Sequence, residues 1–125
     1  MNKISLTIWG RSFELPVAFD CYEGEEVLQA QYDALNELCN AQITIEEAKS
    51  NVEKYCVELN AKEIGAQRID NIFKYVMPTG VFVRRSNSAD RFVGLICKYR
   101  FNPEDGLVVL FKNGAFYEIG TSDIL

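Results

Sequence analysis

Glu104 and Asp105 are adjacent carboxylates in the stretch Asn102-Pro103-Glu104-Asp105-Gly106. Neighbouring acids held in a rigid turn can contribute oxygens to a hard cation, or serve a weak hydrolase in a cleft beside Tyr99. The turn accounts for the same residues without chemistry: proline suits its first central position, glycine a positive φ, and polar side chains its tip. Asp20, Glu23, Glu25 and Glu26 form a second acidic group, but they lack the one-three-five spacing and placed glycine of a calcium loop. Arg84, Arg85, Arg91, Lys98 and Arg100 form a basic group. Such a group can grip phosphate or an acidic protein, or simply keep a solvated strand face from pairing with another edge.

The chain has no histidine, so it lacks the commonest general base and the commonest zinc ligand. Cys21, Cys39, Cys56 and Cys97 lie 18, 17 and 41 residues apart. No pair forms a C-x-x-C motif, and they are expected to be free thiols that pack as small hydrophobes. A nucleophilic Ser or Cys needs an activating base and an orienting group, and no local motif supplies them. No enzymatic activity, metal or cofactor is expected.

The 125 residues carry a net charge of −5, with 48% apolar and 25% charged residues, which fits one soluble domain over residues 1–125, and the order of strand and helix patterns along it reads as α+β. The charge is polarised. Asp20 to Asp70 holds twelve acids against four bases, and the remainder six against nine. An acidic helical layer over a mildly basic sheet follows, and nucleic acid is not an expected partner. The longest apolar run, Leu107 to Phe111, is five residues, too short to span a bilayer. The N-terminus alternates like a strand instead of showing a signal-peptide core. A cytoplasmic protein without membrane attachment is expected.

Ile4, Leu6 and Ile8 alternate with polar residues, and after Gly10 the alternation resumes at Phe13, Leu15, Val17 and Phe19. This predicts a hairpin, with its second strand at a sheet edge because Pro16 lacks an amide hydrogen. Trp9 reads as a surface aromatic or as part of a second buried face. Glu25 and Glu26 are placed at the start of a first helix carrying Val27, Leu28, Tyr32, Leu35, Leu38 and Cys39. A second helix is expected to start at a Thr44–Glu47 capping box, run along Ile45, Ala48, Val52, Tyr55, Cys56 and Leu59, and end at Gly65. The two helices are expected as an antiparallel pair on one face of the sheet. Ile69 to Met77 suits a short helical segment stopped by Pro78. Four strands follow: one from Val81, one from Arg91 to Phe101 after the polar loop 86–90, one over Leu107 to Phe111, and one after Asn113-Gly114. The sheet is therefore mainly antiparallel, an N-terminal hairpin plus four C-terminal strands. One helical layer leaves Phe92, Ile96 and neighbours of Leu107 on a second face. Either the hairpin folds over that face, or it is an interface for a second copy or another protein.

The block Phe101-Asn102-Pro103-Glu104-Asp105-Gly106-Leu107, Lys112-Asn113-Gly114 and Glu118-Ile119-Gly120 resembles a family of small uncharacterised bacterial proteins of the domain-of-unknown-function kind. The family's turn has the form Asp-Pro-Glu-His-Gly-Leu; here Asn102 stands at its Asp and Asp105 at its His. Leu6-Thr7-Ile8-Trp9-Gly10 and Ile69-Asp70-Asn71-Ile72-Phe73-Lys74-Tyr75-Val76 are similar to it as well. The resemblance implies immunity-protein-like relatives and carries no activity over. Together these readings favour a protein–protein interaction module whose partner, or second copy, meets Glu25, Glu26, Glu37, Arg84, Arg85, Glu104 or Asp105. The alternative is a small-molecule-binding domain or weak hydrolase built on the Glu104–Asp105 turn.

Overall fold

A computed structural model of the chain describes residues 3–65, 69–85 and 89–125. It is α+β: strands β1 (Lys3–Ile8) and β2 (Arg11–Phe19), helices α1 (Gln29–Cys39) and α2 (Gln42–Ile64), then β3 (Val76–Val83), β4 (Phe92–Tyr99), β5 (Leu107–Lys112) and β6 (Ala115–Gly120). A 3-10 turn, Ile72–Lys74, precedes β3, and another, Ser122–Ile124, follows β6. The strands form one six-stranded sheet in chain order. All neighbours are antiparallel except β2 and β3, which run parallel over Val17↔Val81, Ala18↔Phe82 and Phe19↔Val83. Parallel neighbours need a long crossover, and α1 and α2 supply it.

Buried Ala34, Leu38, Ile45, Ala48, Val52 and Cys56 of the helices join one core cluster with Leu6, Leu15, Val81, Leu95 and Val109 of the sheet. Helix α1 lies against β3 and β4, whereas α2 touches both edge strands, β1 and β6. Its 23 residues make it about 34 Å long, more than the roughly 24 Å width of six strands. Asn60 interrupts it with non-helical backbone (φ −130°, ψ 40°). Leu59, just before the break, is expected on the apolar stripe but is 60% exposed.

Several local expectations need correction. Pro16 does not mark an edge: β2 lies between β1 and β3, but the parallel ladder begins one residue later, at Val17, so no β3 bond requires an amide there. Trp9 sits in the turn itself, at φ 51° beside Gly10 at φ 84°, the two-residue geometry that matches strand twist. It is buried: its indole Nε1–H donates to the Ile45 carbonyl (2.9 Å) and its backbone N–H to Glu46 Oε1 (3.0 Å). Helix α1 begins at Gln29, so Glu25 and Glu26 lie outside its first turn. Helix α2 begins at Gln42, which puts Thr44 and Glu47 inside it instead of at its cap. Gly65 does end α2, with φ 72°. Pro78 does not precede a strand but lies within β3, at a register shift between Pro78 and Gly80 where a missing donor is tolerated. Of the expected polar loop, Ser86 to Ser88 lie outside the described residues.

The hairpin does not fold over the second sheet face; it extends the sheet. Val108 and Leu110 are buried there, outside the core cluster, beneath the C-terminal turn. A side chain at Gly94 would run into Leu125 and Val108. Arg84 Nη2 donates to the Ile124 carbonyl at 2.6 Å and its guanidinium lies 4.6 Å from the Phe92 ring centre. The Ser122 N–H donates to the Asp105 carbonyl at 3.1 Å.

Gln31 is the buried polar side chain among the described residues (0% exposed). Its Nε2 donates to the carbonyls of Asp20 (2.9 Å) and Val83 (3.4 Å), and its Oε1 accepts from the Leu28 N–H (2.9 Å). It therefore fastens the start of α1 to the ends of β2 and β3. Gln31→Leu should cost about 2 kcal/mol, because it removes three hydrogen bonds of a fully buried side chain. It takes this partner from the Leu28 N–H and the Asp20 carbonyl, while the Val83 carbonyl keeps the Asp20 N–H. Urea unfolding of this variant beside the exposed control Gln29→Leu checks the loss; equal midpoints would contradict it.

Candidate functional site

The expected partner-binding charges are for the most part spent within the chain. Arg91 holds Glu37 through two bonds, Nε to Oε1 (2.5 Å) and Nη2 to Oε2 (2.9 Å), the forked geometry that arginine favours. Arg85 faces the loop before α1: Nη2 lies 3.4 Å from Glu25 Oε2, and Nη1 donates to the Glu26 carbonyl at 3.1 Å. Arg84 is committed to the C-terminal turn. Glu26 is exposed, as are Glu104 and Asp105 on their turn. Gly106 closes that turn at φ 65°, where a Cβ would sit 2.7 Å from the Cys97 carbonyl oxygen. The basic group read from the sequence thus divides. Arg84, Arg85 and Arg91 brace the fold, and Lys98 and Arg100 go elsewhere.

They go to a cleft of about 480 Å³ lined by Phe73, Lys74, Tyr75, Met77, Lys98, Tyr99, Arg100 and Pro103. It forms where the 3-10 turn enters β3 and β4 leaves the sheet. Asn71 Oδ1 caps that turn by accepting from the Phe73 N–H (3.1 Å), and the Arg100 N–H donates to the Tyr75 carbonyl (2.9 Å). With Val76 opposite Tyr99 and Met77 opposite Lys98, the triplets Phe73-Lys74-Tyr75 and Lys98-Tyr99-Arg100 are brought side by side. Each triplet interleaves cations with aromatic rings. That pairing is the signal in the sequence, but it becomes visible only once β3 is extended back through Pro78 to Val76.

The floor is aromatic and the rim cationic. Tyr99 is buried, and Phe73, Tyr75 and Met77 are half-buried, while Lys74, Lys98 and Arg100 are exposed. Tyr75 stacks on Phe101 (5.5 Å between centroids), Tyr99 meets Phe101 edge-on (5.7 Å), and Phe73 packs against Trp9 and Phe13. The Arg11 guanidinium lies 4.5 Å from the Phe73 ring centre, within cation–π range. Among the described residues, none of Lys74, Lys98 or Arg100 takes part in an ion pair. Among the described residues no carboxylate lines the cleft; of the Glu104–Asp105 turn only Pro103 does. A second hollow, about 560 Å³, runs along α2 and Ile69 and mixes both charges, with Lys54 Nζ 4.0 Å from Glu58 Oε1.

All four cysteines are free; Cys56 and Cys97 are buried and Cys21 and Cys39 half-buried. Burial pushes the Cys56 thiol up to about 11, which disfavours the reactive thiolate. Among the described residues, no group of three or more Cys, Asp or Glu side chains is gathered to hold a metal ion, and no helix is long and apolar enough to cross a membrane.

The chain belongs to a family described as a domain of unknown function (DUF6985), whose model matches residues 1–125. No curated protein and no solved structure matches it. The resemblance to a domain-of-unknown-function family therefore holds at the level of the family.

Tyr99 joins the cleft to the helix break: its hydroxyl donates to Asn60 Oδ1 at 2.5 Å. Burial, followed by the neighbouring Cys56, holds the phenol well above its ordinary range. A raised folded-state pKa means that the stabilisation is complete below the ordinary tyrosine value of about 10 and is lost as pH rises beyond it. Between pH 8 and 11 the wild-type unfolding free energy should therefore fall more steeply than that of Tyr99→Phe. Parallel curves would contradict this placement of Tyr99.

Proposed function

We propose that this protein is a non-enzymatic binding module of the bacterial cytoplasm, immunity-like in that it acts by occupying another protein. The observation that carries the reading is the cleft beside β3 and β4, where three cations that have no ion-pair partner among the described residues stand beside aromatic side chains. Aromatic and arginine side chains in a desolvated hollow are the usual anchors of protein recognition. Glu104 and Asp105 sit on an exposed turn outside the cleft lining, so neither is set against a bound substrate as an acid or base must be. Glu25, Glu37, Arg84 and Arg85 lie at the other end of β3 and β4, where they brace the fold and not the cleft.

The partner is a different protein, not a second copy. A basic cleft and acidic helices on one molecule would join copies head to tail, and such heterologous contacts leave an open chain unless they close into a ring. A second reading, a small-molecule site, draws on the same hollow, whose volume falls within the range of ligand pockets, roughly 300 to 1,000 Å³.

Affinity capture from the native host separates these readings. The intact chain, a Lys98→Glu/Arg100→Glu variant and a Glu47→Lys/Glu58→Lys helix variant are compared after their folds are matched by circular dichroism. One protein should be retained by the intact and helix-reversed forms and lost from the cleft variant, and the same order should hold when that protein is purified and titrated. Equal retention by the cleft variant would contradict the proposal. Loss from the helix variant alone would move the interface to α2.

A further inference from the structure

We infer that the cleft takes a short acidic segment of the partner protein in which one aromatic or large aliphatic residue is flanked by Asp or Glu. The inference rests on the binding-module reading above and specifies what that module recognises.

The geometry points to this chemistry in three steps. First, Lys98, near the end of β4, and Arg100, in the turn just after it, lie two residues apart across extended Tyr99, a spacing of about 7 Å. An extended peptide presents its own side chains i and i+2 at the same interval and sends the residue between them to the opposite face. With flanking carboxylates directed at Lys98 and Arg100, the middle side chain is directed to the other wall of the cleft, which Phe73 and Tyr75 supply. Second, Phe73, Tyr75 and Met77 are only partly buried by the protein itself, so an incoming apolar side chain would complete their burial. Long Lys and Arg stems at a rim allow both contacts, because their methylenes cover apolar surface while their charged ends remain in water.

Third, the backbone argues against a phosphate or nucleotide. Phosphate sites draw on convergent free amide N–H groups, and here those amides are taken: Phe73 by Asn71 Oδ1, Lys74 by the Asn71 carbonyl, Tyr75 by the Ile72 carbonyl and Arg100 by the Tyr75 carbonyl. The net charge of −5 opposes a polyanion such as nucleic acid, while a segment carrying two carboxylates meets only the local cations. Glu104 and Asp105, beyond the Pro103 rim, place negative charge at one end of the cleft and so limit how much acid the segment can carry in that direction.

The test is an amide-resolved NMR titration of the full chain with four probes. These are a capped Gly-Glu-Trp-Glu-Gly peptide, its Gly-Glu-Gly-Glu-Gly and Gly-Lys-Trp-Lys-Gly counterparts, and inorganic phosphate. The acidic tryptophan peptide should shift the amides of Lys74, Met77, Lys98 and Arg100 and bind more tightly than the other three. Lys98→Glu and Arg100→Glu should each weaken it about fivefold, the scale of one exposed ion pair, and Glu104→Lys should tighten it about twofold. Phosphate shifting the same amides as strongly, or the lysine peptide binding more tightly, would overturn the inference. An unchanged spectrum with the acidic tryptophan peptide would overturn it too. In that last case the binding-module reading stands if the cleft variant still loses its captured protein, and falls if it does not.

Discussion

Three parallel residue pairs, Val17↔Val81, Ala18↔Phe82 and Phe19↔Val83, join the N-terminal hairpin to the rest of the sheet. Everything else follows from satisfying them. Two parallel neighbours cannot be linked by a tight turn, so the chain must leave the end of β2 and return to the opposite end of the sheet. It does so through α1, α2 and the 3-10 turn at Ile72–Lys74. Gln31 sits where the departure begins and holds the Asp20 and Val83 carbonyls together. The 3-10 turn sits where the return ends, and this is why Phe73, Lys74 and Tyr75 arrive beside Lys98, Tyr99 and Arg100. The cleft is a consequence of the crossover.

The C-terminal turn answers a different constraint. A sheet whose interior strand β5 is buried along both faces needs cover on the side away from the helices. Ile124 and Leu125 provide it, held by the Arg84 bond to the Ile124 carbonyl and by the Ser122 bond to the Asp105 carbonyl. The turn at Asn102–Gly106 thereby has a plain structural duty, anchoring the segment that closes the second face. Its two acidic side chains remain in solvent. Arg84 and Arg85, adjacent in the chain, are drawn in different directions, one to this turn and one to the loop before α1.

Features set by local backbone chemistry were legible in the sequence. Asn113-Gly114 forms the β5–β6 turn with positive φ at both residues, Gly65 caps α2, and the alternation in β1, β2 and β4 marks the faces that are buried. Features set by distant partners were not. Trp9 reads as a strand residue until Ile45 and Glu46 hold it in the turn. Thr44 and Glu47 carry a cap pattern that Gln42, bonded through Nε2 to the Thr7 carbonyl, displaces inward. Pro16 reads as the mark of an edge strand and Pro78 as the stop of a helical segment, yet each falls inside an interior strand where its neighbour needs no amide. The site was half legible for the same reason. Lys98 and Arg100 are legible only as members of a basic group and Tyr99 only as the neighbour of a cleft at the Glu104–Asp105 turn, and Lys74 and Met77 join them only through a register that crosses Pro78.

The central claim is that this cleft, and not the acidic helices, meets the partner. Replacing Met77 on its floor, and separately the 75% exposed Ile43 of α2, with a photo-crosslinking amino acid in the intact chain tests it in the native host. Crosslinking from position 77 to a single protein, with the attached peptide rich in Asp and Glu around an aromatic or aliphatic residue, is the predicted result. Crosslinking from position 43 alone, or from 77 to a basic segment, would contradict the account.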